Sequence, residues 1–399
     1  MVARRAGKAL TLALVAAALT AQAEPPGAAY QRIVGEARAA RQRQDYATYL
    51  QHARRLAEMM PGHSASHYSL ARGFNLAGDR EQAIATLGRV ADVGFGYDAS
   101  ADPAFESLRA DPAFVAVAGR LAANAAPRGD VGATVQLGLE GQQPEGVAWV
   151  GGGSFLIGTL RGAVYRLALH GGEDPELLAT VGASVVGIRP DPASGTFLAC
   201  VSNQQTGRSS VQRRRVADGT LVADHPFPGN SFCNDVALAE GGFVATDSTG
   251  GIVYRLRDER LEALPIAPLF FPNGIATDST GRRAFVAHGN GILAIDLVAN
   301  AVQPLVPESA MFGGIDGMVW HEGSLLVMQN VTVPARLIRV TPAADGPARI
   351  ETILGGHPLL AGATTLTIHD GDAVILSQTG IPDGTQPDAP ILLRVPLRR

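Results

Sequence analysis

The chain has 399 residues, of which 46% are hydrophobic, 18% charged and 6% aromatic, and its formal charge is −4. This is globular composition, long enough for one large core or two domains. A mildly acidic balance argues against nucleic acid or an anionic membrane as partner.

In chain order, Arg4, Arg5 and Lys8 precede an apolar stretch from about Ala9 to Ala21 and an Ala-Gln-Ala exit. A basic head, a short apolar run and a small-x-small site describe a secretory signal, residues 1–23, cut after Ala23. The expected location is periplasmic or secreted. Cleavage removes three positive charges and no acids, moving the formal charge from −4 to −7. No later stretch approaches the roughly 18 apolar residues of a membrane span.

Residues 24–121 are rich in Ala, Arg and Leu at helical spacing. The stretch from Arg55 to Gly94 resembles a tetratricopeptide repeat. Gly78-Asp79 make its inter-helix turn, Ala83 marks a close helix approach, and Leu70, Phe74 and Leu87 fill the seam. Asp45 stands 34 residues before Asp79, the period of that repeat. Two repeats are fewer than independent stability needs, so this unit is expected to lean on the domain C-terminal to it. Its role is either a structural cap or a protein-binding surface. Residues 122–130 form a linker.

From residue 131 to 399 one unit recurs six times. Short apolar runs begin at Phe155, Phe197, Phe243, Phe285, Leu325 and Val374, separated by 42, 46, 42, 40 and 49 residues. Each is followed by a third strand-like run such as AVYRLAL or GIVYRLR. Four-stranded units at this period predict a six-bladed β-propeller, so the fold class is mainly β with a small helical domain in front. The sixth repeat stops after its third run, and VGATVQLGL at 131–139 stands unpartnered before the first blade. It is expected to supply the missing outer strand and to cover an open edge.

Two cysteines, Cys200 and Cys233, sit in apolar contexts without metal-type spacing. An oxidising compartment allows them to pair, but the reading preferred here is two small buried side chains. The basic run at 212–216 is expected to alternate along a solvated strand.

Four similar words head the repeats: QPEGVAW with Glu145, FCNDVAL with Asn234, FPNGIATD with Asn273 and GIDGMVW with Asp316. Asn-Gly is common turn punctuation, but one phase of the repeat predicts that these residues lead the inner strands and converge on the axis. Gly187 and Thr365 stand at the corresponding points of the other two repeats. Two carboxylates and two amides make an oxygen-rich site suited to calcium, with magnesium, manganese or zinc as alternatives. Without a cation the buried carboxylates would be costly, and at least one pKa is expected to rise.

Glu145, Asn234, Asn273 and Asp316 in these words resemble the signature of the gluconolactonase, senescence-marker and luciferin-regenerating-enzyme family. The resemblance spans residues 131–399 and implies a six-bladed propeller with a divalent metal in its channel. Carried over, Glu145, Asn273 and Asp316 hold the metal, Asn234 meets substrate, and Asp316 is the general base. It implies hydrolysis of a small-molecule lactone or related ester. Sugar-lactone members usually carry Arg where this chain has Phe232, and Phe270, Phe271, Met311 and Phe312 are near the other words. An apolar lactone or ester therefore stands beside a sugar lactone as substrate. His288 and His321 are further polar candidates, since a histidine beside calcium is the arrangement of paraoxonase-type propellers; His288 is the one assigned to substrate. The alternative is a non-catalytic binding propeller with a structural channel metal.

Overall fold

The computed structural model describes residues 24–169, 174–305, 311–343, 346–381 and 387–397. The expected signal, residues 1–23, lies outside the described residues.

Five helices come first: α1 (Pro26–Gln42), α2 (Tyr46–Met59), α3 (Ser64–Leu76), α4 (Arg80–Asp92) and α5 (Pro112–Ala125). Asp45 and Asp79 open α2 and α4, each side chain accepting a free backbone N–H three residues on (3.1 and 3.2 Å). Capping unpaired N–H groups is why an aspartate recurs at this phase. Gly78 has φ +92°, the left-handed conformation that closes α3. Ala83, Leu70, Phe74 and Leu87 are buried in the seam. Among the described residues no helix is long and apolar enough to cross a membrane.

Six antiparallel sheets of four strands come next. The inner strands are Pro144–Gly151, Ser184–Asp191, Cys233–Ala239, Ile275–Thr277, Ile315–His321 and Leu366–His369. Burial is graded outward. The second strand Thr196–Asn203 is buried at all but its last residue, whereas the fourth strand Val302–Pro304 is exposed throughout. Second strands are covered on both faces by neighbouring blades, so they read as unbroken apolar runs. The sixth sheet is completed by Thr134–Gln136, paired with Asp388–Val395 in the register Thr134↔Leu393 and Gln136↔Ile391. The propeller ring is closed by this strand.

Two expectations need correction. Cys200 and Cys233 are buried but bonded to each other, with Cα atoms 5.2 Å apart. They face each other from the second strand of blade two and the inner strand of blade three, a proximity that wide spacing in sequence conceals. The basic run alternates, with Arg215 exposed, but it is solvated only in part. Arg214 is buried and donates to the Gly219 carbonyl (2.9 Å), while Arg213 reaches Asp191 (2.6 Å).

The helical unit is seated on the mouth where the inner strands begin. Gly62 N–H donates to Asn290 Oδ1 (3.2 Å), and Gly313 N–H donates to the Gly62 carbonyl (2.7 Å). Gly96 N–H donates to the Val333 carbonyl (2.7 Å), and the Arg336 guanidinium lies over the Phe95 ring at 4.6 Å. Phe270 and Phe271 pack against a cluster containing Tyr30, Ile33 and Met60. Met311 joins the helical core itself, and Phe312 lies in an inter-blade core. Beyond α5, Arg128 exchanges two backbone hydrogen bonds with Gly355 (2.8 and 3.0 Å), so the stretch after the helices also adheres to the propeller.

Candidate functional site

The repeated word is explained by crowding at the axis. A Cβ on Gly146 would run into the Val186 carbonyl, one on Gly274 into the Asp316 carbonyl, and one on Gly317 into Thr365. On Gly187 it would lie 2.5 Å from Asp235 Oδ1. None of these four has the positive φ that favours glycine, so close approach of the next blade alone demands the missing side chain. Hydrogen bonds run round the same ring. Gly274 N–H donates to the Asp316 carbonyl (2.8 Å), and Thr364 Oγ1 donates to the Glu145 carbonyl (3.0 Å). Asp235 Oδ2 accepts from Ile275 N–H (3.0 Å). Each glycine thus lets the residue before it be held at the axis by its neighbour.

Glu145, Gly187, Asn234, Asn273, Asp316 and Thr365 all line one axial cavity. A water-sized body could move its centre through only about 20 Å³ there, room for one small occupant. Glu145 keeps some surface toward this cavity, yet its Oε2 is sealed from solvent and accepts no hydrogen bond. Burial, and then the nearby Asp316 charge, raise the Glu145 carboxyl well above the usual range. Burial also raises Asp316, against the opposing hydrogen bonds of Asn330 and Asn273. Asn330 Nδ2–H donates to Asp316 Oδ2 (2.5 Å) and to the Ala363 carbonyl (2.7 Å), and its buried Oδ1 is unpartnered. Asn234 Nδ2–H donates to Ser248 Oγ (3.1 Å).

Sequence reasoning missed two of these residues. Asn330 follows a second strand rather than heading an inner one, so no repeat phase marks it. Asp235 shares the Asn234 word, and its contacts with Val236 N–H (2.8 Å) and Arg189 (3.7 Å) are structural. Among the described residues no trio of His, Cys, Asp or Glu is placed to hold a metal. The axial donors are instead two carboxylates with amides. Half-buried carboxylates in no salt bridge, among oxygen donors, fit a hard divalent cation better than a soft or imidazole-seeking one.

No family model and no curated protein matches the chain. Solved structures share its outline. A candidate oxidoreductase (glucose dehydrogenase) of Thermus thermophilus is 16% identical over 67% of this chain and 99% of its own, with a TM-score of 0.47. The WD40 propeller domain of Doa1 is 12% identical over 63% and 78%, with a TM-score of 0.45. These likenesses are too distant to argue from, and the six-bladed assignment rests on the strand pairing.

Above the axial cavity lies a chamber of about 560 Å³ between the helices and the mouth, the size of a small-molecule site. Asn273 is common to both. His288 lines the chamber rather than the axial cavity, and burial pushes its imidazole down to about 4. His63, on the helical side, is likewise pushed down to about 4, by burial first and His67 second. Phe271 lines the chamber and stands edge-on to Tyr30 at 6.0 Å. Phe232 lines neither of these but a neighbouring hollow with Gln204 and Asn230, which shares Gln31 and Phe271 with the chamber. His321 ends the strand Ile315–His321, roughly 17 Å along it from Asp316, and faces Glu322 at 3.8 Å.

Proposed function

We propose that this propeller is a divalent-metal-dependent hydrolase of a lactone or related ester, acting in the periplasm or outside the cell. One observation carries the reading. Two half-buried carboxylates, neither in a salt bridge, face a small axial cavity whose one guanidinium, Arg189, is taken by Asp235, and Glu145 Oε2 there has no partner. Glu145, Asn273 and Asp316 are the residues that would hold the cation, with calcium first in order. When bound, such a cation supplies Lewis-acid polarisation of a carbonyl. The resemblance of the four words to the gluconolactonase signature supports the same residues.

The chain's own groups divide the remaining work. Asp316, held by the Asn330 hydrogen bond, takes a proton from an attacking water in this reading. Asn234, held by Ser248, orients the substrate's polar edge. The helical unit above the site excludes bulk water, which strengthens each charge interaction beneath it. The Cys200–Cys233 disulfide supports an oxidising compartment.

The test is hydrolysis by metal-stripped mature protein of a sugar lactone and an apolar aryl ester, with calcium, magnesium, manganese or zinc restored. Turnover that returns with metal and is lost in Asp316→Asn is the expected result. Metal-induced thermal stabilisation with no turnover of either substrate would overturn it in favour of a binding propeller whose ion is structural.

A further inference from the structure

The chamber between the helices and the propeller has a chemistry of its own. Most of its wall is apolar, drawn from Val34, Ala37, Leu56 and Met60 on the helical side and Phe271 and Ile315 on the other. Its charged residues are Arg38, Arg41 and Arg72, and no acidic side chain lines it. Arg72 is committed to Asp102 at 2.6 Å. Arg38 and Arg41 are exposed and have no acidic partner among the described residues. An apolar sleeve with uncommitted guanidinium groups is complementary to an amphipathic anion.

Position also sets the direction. At the Asn273 end the chamber adjoins the axial cavity, while its guanidinium groups without an acidic partner, Arg38 and Arg41, stand on the helical wall. An anionic head is favoured at Arg38 and Arg41. The start of α1 rests on Phe271, which a Cβ on Gly27 would strike at 2.7 Å. From Tyr30, Arg38 and Arg41 lie about 12 and 17 Å further along the helix axis. The nearer of these distances, to Arg38, matches an extended chain of about nine carbons (roughly 1.3 Å per carbon along a zigzag, somewhat under half the backbone rise of a strand residue).

We infer that the chamber binds a medium-chain amphipathic carboxylate, with its apolar body between α1, α2 and Phe271 and its carboxylate at Arg38 and Arg41. The inference rests on the hydrolase reading where it names the substrate: a lactone or ester with an apolar body and a distal acid, whose neutral reacting carbonyl lies at the Asn273 end. The helical unit is then the wall that selects the substrate.

The test is calorimetric titration of metal-free mature protein with octanoate, octan-1-ol and gluconate. Octanoate is expected to bind at least tenfold more tightly than either comparator. Arg38→Gln with Arg41→Gln should bring octanoate to the level of octan-1-ol, with the melting temperature held because both positions are exposed. Val34→Trp, which fills the sleeve, should weaken octanoate and octan-1-ol together. Octanoate binding no better than gluconate, or indifferent to both sets of substitutions, overturns the inference. Failure of the hydrolase reading looks different: octanoate binds as described while no lactone or ester is turned over. Conversely, turnover of a sugar lactone without octanoate binding leaves hydrolysis standing and removes the chamber's role.

Discussion

At the scale of single residues, the axial carboxylates and the glycines behind them govern behaviour. Asp316→Asn keeps the shape but removes one of the two unpaired axial carboxylates, so the proposed hydrolysis should fall by about 100-fold or more. The same change should raise the metal-free melting temperature, by roughly 2–4 °C per kcal/mol of repulsion and desolvation relieved, while abolishing the upward shift that the proposed calcium site predicts for the wild type. Scanning calorimetry with chelator and with calcium reads both signs in one experiment. Gly146→Ala should destabilise by about 1–3 kcal/mol in a denaturant titration, because the added methyl meets the Val186 carbonyl of the next blade. These positions were legible because the Glu-Gly, Asn-Gly and Asp-Gly words recur at one phase, although crowding as the cause of the glycine was not. Asn330 was hidden, since a polar residue after an apolar strand looks like any turn. What distinguishes it is a contact with Asp316, which lies 14 residues earlier in the chain.

Secondary-structure elements were legible in proportion to their burial. Second strands such as Ser324–Gln329 are wholly buried and announced themselves as apolar runs, whereas fourth strands carry little pattern because they face solvent. The outer strand of blade six was found by counting, through a missing partner at one end and a spare run at the other. Val135→Pro removes backbone pairing in the middle of that strand, opposite Leu392. It should leave an open edge and shift the protein toward higher oligomers in size-exclusion chromatography. The disulfide escaped sequence reasoning because pairing depends on which blades are neighbours. It closes a loop with a sequence separation of 33; replacing both Cys200 and Cys233 by Ala should cost about 3–4 kcal/mol by the loop-entropy relation. Guanidinium unfolding of the oxidised protein against the double variant measures this.

Over the whole molecule, two repeats were too few to stand alone and so predicted that the helical unit leans on the propeller, but its seat at the propeller mouth was invisible in the sequence. Its repeat phase and caps could be read from Asp45 and Asp79, but nothing local says that Met311 belongs to the helical core or that Gly62 binds Asn290. Burial of His63 at this junction gives the assembly a pH dependence. Its folded pKa, about 4, is below the ordinary value of 6.5, so the unfolded chain takes up the proton first. The stability of the neutral ring is intact above pH 6.5 and declines as pH falls toward 4, by up to about 1.4 kcal/mol per unit. His63→Gln should flatten this part of the melting-temperature profile relative to wild type, and identical slopes would sink the assignment. The closing strand carries one more implication, for the order in which the molecule is made. Thr134–Gln136 leaves the ribosome ahead of every blade, and its partner Asp388–Val395 emerges after all the others. Until that partner arrives, the first-made strand has nowhere to dock, and five blades must wait as an open arc. Translation that halts anywhere within this stretch therefore yields an unsealed ring, so the last few residues of the blade act as a check on completeness.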